Sequence, residues 1–168
     1  SFRVLEREGQ WTFLAPDDAD EAHRILGRLE GHQSTRITGQ AKTYLLDAPA
    51  ARAHYRDVLS LGLADGTARI FALTVDGEII ASVFGLVDRG RLLVLRIANA
   101  GEAWKHCSPG RLIIAETMRW MMARGLTSLD MTIGDYPFKR QFDPVAVPLV
   151  DLHLALGWRG WAQMAKAR

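Results

Sequence analysis

Several features that mark particular classes of protein are scarce in this sequence. One cysteine among 168 residues, Cys107, excludes a disulfide within the chain and a structural zinc site of the cysteine-rich kind. The net charge is only +2 and no run of five like charges occurs, whereas nucleic-acid-binding proteins cluster their positive charge. The longest uncharged apolar run, residues 79–87, is far shorter than the ~20 residues that cross a bilayer. We therefore expect a cytoplasmic protein with no nucleic-acid partner, no membrane span and no metal.

The length and composition indicate one folded unit. A chain of 168 residues fits a single domain, since domains usually have ~100–200 residues. Its 48% of hydrophobic residues can build a core without disulfides or metal. We expect one domain over residues 1–168. Because the chain begins at Ser1 and not at Met, we also expect it to be a piece of a longer protein.

The first third of the chain predicts one extended segment and two helices. Short apolar alternation predicts a strand or extended arm from Ser1 to Leu14. Asp17 or Asp18 is expected to cap a helix that ends near residue 31 or a few residues later, since apolar residues follow at helical spacing. Asp47 is expected to cap a second helix that stops by residue 62.

The middle of the chain changes to extended structure. Three runs rich in Ile, Val, Leu and Phe are separated by short turns, and Asp76-Gly77 favours a type I′ hairpin because Gly accepts a positive φ. The runs therefore predict an antiparallel meander. They are Arg69–Val75, Glu78–Val87 and Leu92–Ala98.

A helix and two further strands are predicted after the meander. Ser-Pro-Gly at residues 108–110 precedes an apolar helix over residues 111–124, which Gly125 closes. Alternation then predicts strands at Leu129–Ile133 and Leu149–Leu156. The fold class expected is a mixed α+β domain.

The start of the helix after Ser-Pro-Gly is one candidate binding site. The first N–H groups of a helix lack partners within it and lie at the positive end of its dipole, so they suit an anion such as a phosphate. The backbone amides concerned are those of Ser108, Gly110, Arg111 and Leu112. Plain capping and turn chemistry is the alternative interpretation of the same residues.

Polar residues near the end of the predicted strand 129–133 form a second candidate site. Alternation places Asp130 opposite the apolar residues, and Asp135 and Lys139 follow shortly after Gly134. A surface cluster of salt bridges formed by Asp135, Lys139 and Arg140 is the alternative.

Together these motifs resemble a known family. The run SPGRLIIAETMRWMMARGLTSLDMTIGDYPFKRQF is similar to the signature of the CelD-like acetyltransferases, a branch of the GNAT superfamily related to cellulose and exopolysaccharide biosynthesis proteins and to Fem-type aminoacyltransferases. The preceding LTVDGEIIASVFGLVDRGRLLVLRI looks like the central hairpin of that family. The resemblance covers about three quarters of the chain.

The resemblance implies a GNAT fold, with a mostly antiparallel mixed sheet whose two central strands splay apart and helices on both faces. The pantetheine arm of acyl-CoA would enter between the strands 92–98 and 129–133. Its pyrophosphate would lie on the amides at the helix start. Backbone N–H groups of Arg96 and Ile97 would hold the thioester carbonyl, and such donors typically contribute ~2.7–4 kcal/mol to catalysis.

The resemblance also implies catalytic roles for polar residues after the last strand. Asp135 is the first candidate for the base and Asp130 the second, with a pKa raised by desolvation. A purely structural role, in which Asp130 bonds nearby loop amides, is the alternative for that residue. Tyr136 would return a proton to the thiolate, and packing is its alternative role. Lys139 would bind a phosphate or offset charge on the acyl oxygen.

Two positions depart from the general GNAT phosphate pattern Gln/Arg-x-x-Gly-x-Gly/Ala. Aligned on Gly110, Cys107 stands at the Gln/Arg position and Leu112 at the second small position. The leading hypothesis is an N-acyltransferase that moves a small acyl group, with acetyl first, from acyl-CoA to an amine such as an amino sugar or polysaccharide precursor. A non-catalytic GNAT-like half and an aminoacyl-tRNA-dependent transferase are the alternatives. A second GNAT-like domain or a second copy is the expected protein partner.

Overall fold

The computed structural model describes residues 2–39, 45–150, 154, 156 and 157. The chain divides after Gly134 into two compact units. Within the described residues, the first unit contains every α-helix and β-strand, and the second contains a 3-10 helix, Lys139–Phe142, in otherwise irregular backbone. The expected single domain is not tested by this division and stays a prediction.

In the described part of the chain, the first unit begins with three α-helices and one strand, and continues with a three-stranded meander, a helix and a short strand. Two 3-10 helices, Leu45–Asp47 and Gly101–Cys107, precede α3 and α4. The α-helices and strands, in chain order, are α1 Phe2–Glu8, β1 Trp11–Leu14, α2 Ala19–Thr38, α3 Pro49–Asp65, β2 Ala68–Val75, β3 Glu78–Asp88, β4 Arg91–Asn99, α4 Pro109–Ala123 and β5 Ser128–Asp130.

The five strands form one sheet in the order β1-β2-β3-β4-β5. Every neighbouring pair is antiparallel except β4 with β5, which is parallel. The β2–β3 turn has φ of 48° at Asp76 and 83° at Gly77, the two positive values that a type I′ turn needs. The expected mixed α+β fold with a mostly antiparallel sheet and helices on both faces is therefore confirmed.

One face of the sheet packs against α2 and α3. The helix α2 begins where expected, because Asp18 accepts a hydrogen bond from the Glu21 N–H at 2.9 Å as its N-cap. Its apolar residues then recur at helical spacing and face the sheet. The buried cluster consists of Ala22, Ile25, Leu26 and Leu29 from α2, Leu59 and Leu63 from α3, and Ala68, Ile70, Ala72, Ile79, Phe84 and Ala98 from the strands.

The other face of the sheet packs against α4. Pro109 lies in the first turn of α4, where its missing N–H costs nothing, and Gly125 follows the helix with a φ of 73°. Trp120 contacts Phe71 of β2 edge to face at 4.8 Å, on the opposite side of that strand from Ile70. Strands covered on both faces have apolar residues at almost every position, as β2 and β3 do.

Three expected elements of the first 65 residues differ from the structure. The predicted arm of residues 1–14 contains α1 before β1, because its pattern of Phe2, Val4 and Leu5 also fits one helical face. Asp47 does not cap α3, which begins after Ala48, and its carboxylate bonds other side chains. The helix α2 runs past residue 31 to Thr38.

The two segments predicted as strands after α4 differ from the structure. The strand at 129–133 ends at Asp130, since Thr132 has a positive φ of 57° that extended structure does not allow. In the segment 149–156, residues 149, 150, 154 and 156 are not in a strand, and residues 151–153 and 155 lie outside the described residues. None of the helices in the described part of the chain has the length and apolar character needed to span a membrane.

Candidate active site

The strands β4 and β5 pair over three residues and then separate. The paired residues are Arg91–Leu93 on β4 and Ser128–Asp130 on β5, and β4 continues alone to Asn99. Thr132 turns the chain away with its positive φ, while its hydroxyl donates to the Val94 carbonyl at 3.2 Å. Among the described residues, no strand pairs with this edge of β4 after Leu93, and we call the gap between the two strands the opening.

A bulge in β4 lies at the same point. The pairing with β3 passes from Gly85–Val94 to Phe84–Arg96 and leaves Leu95 without a partner. A Cβ on Gly85 would lie 2.6 Å from the Leu93 carbonyl oxygen, so glycine is what permits the two backbones to approach this closely. The bulge changes which face the later side chains of β4 occupy.

The backbone of Ile97 points into the open edge. Its carbonyl accepts a hydrogen bond from Gln33 Nε2 at 3.0 Å. The Ala100 N–H donates to the Ile80 carbonyl of β3, so by alternation the backbone of Ile97, three residues earlier, faces away from β3. Since the N–H and C=O of one strand residue point to the same edge and alternate from residue to residue, we infer that the Ile97 N–H also faces the opening. By the same alternation the Arg96 N–H faces β3. Of the two predicted carbonyl-binding amides, Ile97 is therefore the better placed.

The Arg96 side chain forms a buried polar network beneath this edge. It is 1% exposed and lies on the α2/α3 face, opposite Phe84. Its Nε donates to Gln33 Oε1 at 2.8 Å, and its guanidinium lies 4.6 Å from the centre of the Tyr55 ring. The Glu30 carboxylate, 3% exposed, is 3.6 Å from the guanidinium. One side chain of α2, Gln33, thus connects Arg96 to the Ile97 carbonyl.

A second polar cluster lies where the 3-10 helix before α3 meets α2. Ser34 Oγ donates to Asp47 at 2.6 Å and Arg52 donates to it at 2.8 Å. The hydrogen bonds from Ser34 and Arg52 hold the pKa of Asp47 below its ordinary value. Asp47 is therefore ionised at neutral pH.

The N-terminus of α4 lies beside the end of β4. Ser108 has a left-handed backbone with φ of 56°, and its carbonyl accepts from the Arg111 and Leu112 N–H groups at 3.0 and 3.2 Å. The Ser108 N–H donates to the Lys105 carbonyl. Among the described residues, none accepts from the Gly110 N–H. A Cβ on Gly110 would lie 3.4 Å from Nδ2 of Asn99, the last residue of β4.

This geometry distinguishes the four amides expected to bind an anion. Those of Ser108, Arg111 and Leu112 already donate to carbonyl groups of the chain, and an anion there would have to share them. Within the described part of the chain, the Gly110 amide has no such partner. The small residue also keeps space open between the helix start and the end of β4. This arrangement fits a phosphate group at the mouth of the opening.

Cys107 and His106 do not form a nucleophilic pair. Burial, and next the charge of Glu8, raise the pKa of the Cys107 thiol, so it is protonated at neutral pH. The imidazole of His106 is bonded to Glu8 at 3.0 Å. Both residues lie at the end of the 3-10 helix Gly101–Cys107.

Asp130 is held by its neighbours in the first unit. Its Oδ1 accepts from the Thr132 N–H at 2.7 Å and its Oδ2 lies 3.8 Å from Arg91. These contacts fix the turn at which the chain leaves β4. They correspond to the structural alternative for an aspartate at a strand end.

The remaining predicted catalytic residues lie in the second unit. Asp135 is exposed and forms a two-pronged ion pair with Arg140, at 3.0 and 2.6 Å. This hydrogen bonding lowers the pKa of Asp135, so the expected rise by desolvation is wrong. Lys139 Nζ lies 5.4 Å from the centre of the Tyr136 ring, which stacks on Phe138.

Sequence reasoning missed the residues that support the open edge. Gln33, Glu30, Tyr55 and Asn99 belong to no motif, and three of them lie on helices far from β4 in the sequence. The one signal in the sequence was the placement of Glu30 and Gln33 on the apolar face of α2, where polar residues need a partner.

One comparison with known proteins, the scan against family models, gives a match over most of the chain. A family model described as an acetyltransferase (GNAT) domain matches residues 1–140, which include both units' predicted site residues. No curated protein matches the chain.

Solved structures show the same fold at low sequence identity. An aminoglycoside acetyltransferase from an uncultured soil metagenomic sample, in complex with sisomicin, has a TM-score of 0.60 at 11% identity, covering 88% of this chain and 97% of that one. A predicted acetyltransferase with acetyl-CoA from Clostridium acetobutylicum has 0.60 at 9% identity, covering 85% and 96%. A GCN5-related N-acetyltransferase from Ralstonia eutropha has 0.61 at 13% identity, covering 88% and 99%.

The buried ion pair gives a prediction about stability. The change Arg96→Met leaves the Glu30 carboxylate buried without its nearest cation, and we expect a loss of about 3–5 kcal/mol in the free energy of unfolding, measured in urea. Removing both charges, as Glu30→Leu with Arg96→Met, should cost less than Arg96→Met alone. The control is Arg24→Met, which breaks an exposed pair with Glu21 and should cost about 1 kcal/mol or less. Equal losses for Arg96→Met and Arg24→Met would show that the buried network does not hold α2 to β4.

Proposed function

Because the chain belongs to the acetyltransferase (GNAT) domain family, we propose that it is an N-acyltransferase that moves an acyl group, with acetyl first, from acyl-CoA to an amine. One observation carries this proposal furthest. Among the described residues, no strand pairs with the outer edge of β4 after Leu93, and this edge ends beside the Gly110 amide at the start of α4. Such an arrangement offers donors for a thioester carbonyl and for a phosphate within one continuous site.

The residues that would hold the donor lie on two elements. The Ile97 N–H would bind the thioester carbonyl. The Arg96 N–H is the second candidate for this role, because it faces β3. The Gly110 N–H would bind a pyrophosphate oxygen, with Ser108, Arg111 and Leu112 completing the helix start. The Arg111 side chain would add positive charge there. Cys107, at the position of Gln or Arg in the general pattern, contributes no charge.

The reaction requires positioning, oxyanion stabilisation and two proton movements. The acceptor nitrogen forms a bond to the carbonyl carbon, the carbon–sulfur bond breaks, and the nitrogen loses a proton while the thiolate gains one. The Ile97 amide would stabilise the negative charge that develops on the oxygen. Holding both reactants in place supplies much of the remaining acceleration.

For the base we propose Asp135, with Asp130 as the second candidate. Its ion pair with Arg140 keeps Asp135 ionised and weakly basic, so its role is to accept a proton from an amine already in contact with the carbonyl. Tyr136 would protonate the thiolate, and Lys139 would offset negative charge on the acyl group. These assignments rest on the family resemblance and on the residues' order along the chain.

The acceptor that we propose is an amino sugar or a related polysaccharide precursor. The resemblance to the CelD-like branch supports this choice, and an acetyltransferase of similar fold was solved with the aminoglycoside sisomicin. The relation to Fem-type enzymes, the cytoplasmic location and a partner domain or second copy stay predictions. The non-catalytic half is the second candidate function, favoured by Cys107 at the phosphate loop and by the lowered pKa of Asp135.

Acetyl-CoA binding tests the donor site. Wild-type protein should bind acetyl-CoA saturably in calorimetry, and Gly110→Asp should abolish binding because its carboxylate repels the pyrophosphate. The substitution should not unfold the protein, since an aspartate in the first turn of α4 interacts favourably with the helix dipole. The control Gly27→Asp adds the same charge to an exposed part of α2 where a Cβ has nothing within 4 Å. Absence of binding by the wild type at millimolar acetyl-CoA would contradict the proposal.

Turnover tests the base. The change Asp135→Asn should lower kcat by about 10²–10⁴-fold with little change in the KM for acetyl-CoA. Because Arg140 keeps the pKa of Asp135 low, Asp135 stays ionised from neutral pH down through mildly acid pH. The acid limb of kcat/KM should therefore stay at the same pH in the variant. The exposed Asp143→Asn is the matched control, and equal turnover in both variants would remove Asp135 from this role.

A further inference from the structure

Three different metal-binding groups meet where α1 contacts the 3-10 helix Gly101–Cys107. Glu8, His106 and Cys107 each bring one ligand atom to within 4.8 Å of the other two. Glu8 is the last residue of α1, and His106 and Cys107 end the 3-10 helix Gly101–Cys107. The cluster therefore joins the N-terminal helix to the segment that leads directly into Ser108 and α4.

The separations are close to those that a tetrahedral ion needs. Zinc binds sulfur at about 2.3 Å and nitrogen or oxygen at about 2.0–2.2 Å, which places neighbouring ligand atoms about 3.3–3.8 Å apart. The Glu8 and His106 atoms are already 3.0 Å apart. Side-chain rotations that move the ligand atoms by about 1 Å would bring all three groups to one ion. Adjacent residues can serve together here because a 3-10 helix turns by about 120° per residue.

The chemistry of the three groups selects a class of ion. A thiolate, an imidazole and a carboxylate are the ligand types that zinc and its neighbours in the first transition row prefer, whereas magnesium and calcium require oxygen. Cys107 is fully buried, while the side chains of His106 and Glu8 are 51% and 38% exposed. An ion can thus reach the site from solvent and be held from beneath by sulfur.

We propose that Glu8, His106 and Cys107 form a binding site for a divalent transition metal ion, with Zn²⁺ as the ion that this ligand set fits best. On binding, the Cys107 thiol gives its proton to solvent, and a water molecule takes the fourth position. Cys107 adjoins Ser108 at the helix start to which we assign the pyrophosphate, but none of the three ligands takes part in the proposed reaction, and the metal site does not depend on the proposed function. It refines the expectation of no metal, which was based on the absence of a cysteine-rich motif.

Cobalt titration tests the site directly, because Co²⁺ replaces zinc and absorbs light according to its ligands. The full chain should bind one Co²⁺ with the d–d bands of a tetrahedral ion and a thiolate-to-cobalt charge-transfer band, and Zn²⁺ should displace it. Cys107→Ser should remove the charge-transfer band. His106→Gln and Glu8→Gln should keep that band but weaken affinity by more than the ~10–100-fold that follows loss of an outer-shell partner.

Control variants distinguish this site from nonspecific metal binding at the surface. His54→Gln removes an exposed imidazole on α3 and should leave affinity unchanged. Because Cys107 is buried, Cys107→Ser could destabilise the fold, so it is compared with wild type only if the two proteins unfold at a similar temperature. If they do not, the exposed His106→Gln variant tests whether these residues bind the ion. Absence of Co²⁺ binding would overturn the proposal and leave a His106–Glu8 hydrogen bond that ties α1 to the 3-10 helix. Binding that survives His106→Gln at full affinity would overturn it as well.

Discussion

The separation of β4 from β5 is the constraint on which the rest of the first unit depends. A strand edge without a neighbouring strand leaves backbone groups that must find other partners. The Thr132 hydroxyl bonds the Val94 carbonyl, and the Gln33 amide bonds the Ile97 carbonyl. With these two carbonyls hydrogen-bonded, β4 can extend past β5 without a further strand at this edge among the described residues.

The Arg96–Glu30 pair shows what this open edge requires from the core. Burying two charges is costly, and a core of apolar residues would often be at least as stable. The pair nevertheless helps to orient Gln33, whose Oε1 accepts a hydrogen bond from Arg96 and whose Nε2 donates to the Ile97 carbonyl. A fixed amide keeps the Ile97 backbone in one orientation, which a preorganised binding group needs. The bulge at Leu95 is what brings Arg96 to the α2/α3 face.

Local patterns predicted much of the fold. The meander, its type I′ turn, the Asp18 cap and α4 depend on neighbouring residues, and the structure confirms each of them. The supports of the site were not predictable in this way, because the Gln33 partner of Arg96 lies 63 residues away in the sequence. The predicted direction of the Asp135 pKa shift was wrong because that direction depends on which groups contact the carboxylate. The guanidinium of Arg140 bonds it and lowers its pKa. The separation of the two strands was expected only from the family resemblance, because the periodicity of the sequence predicts strands but not where neighbouring strands part.

The central claim is that the Ile97 and Gly110 amides form one donor site at the open edge of β4. Amide nitrogen–proton NMR spectra recorded during a titration with acetyl-CoA test it most directly, because each backbone N–H gives its own signal. The account predicts that the Ile97 and Gly110 signals shift most and saturate together. Saturable binding that leaves both signals in place would contradict it.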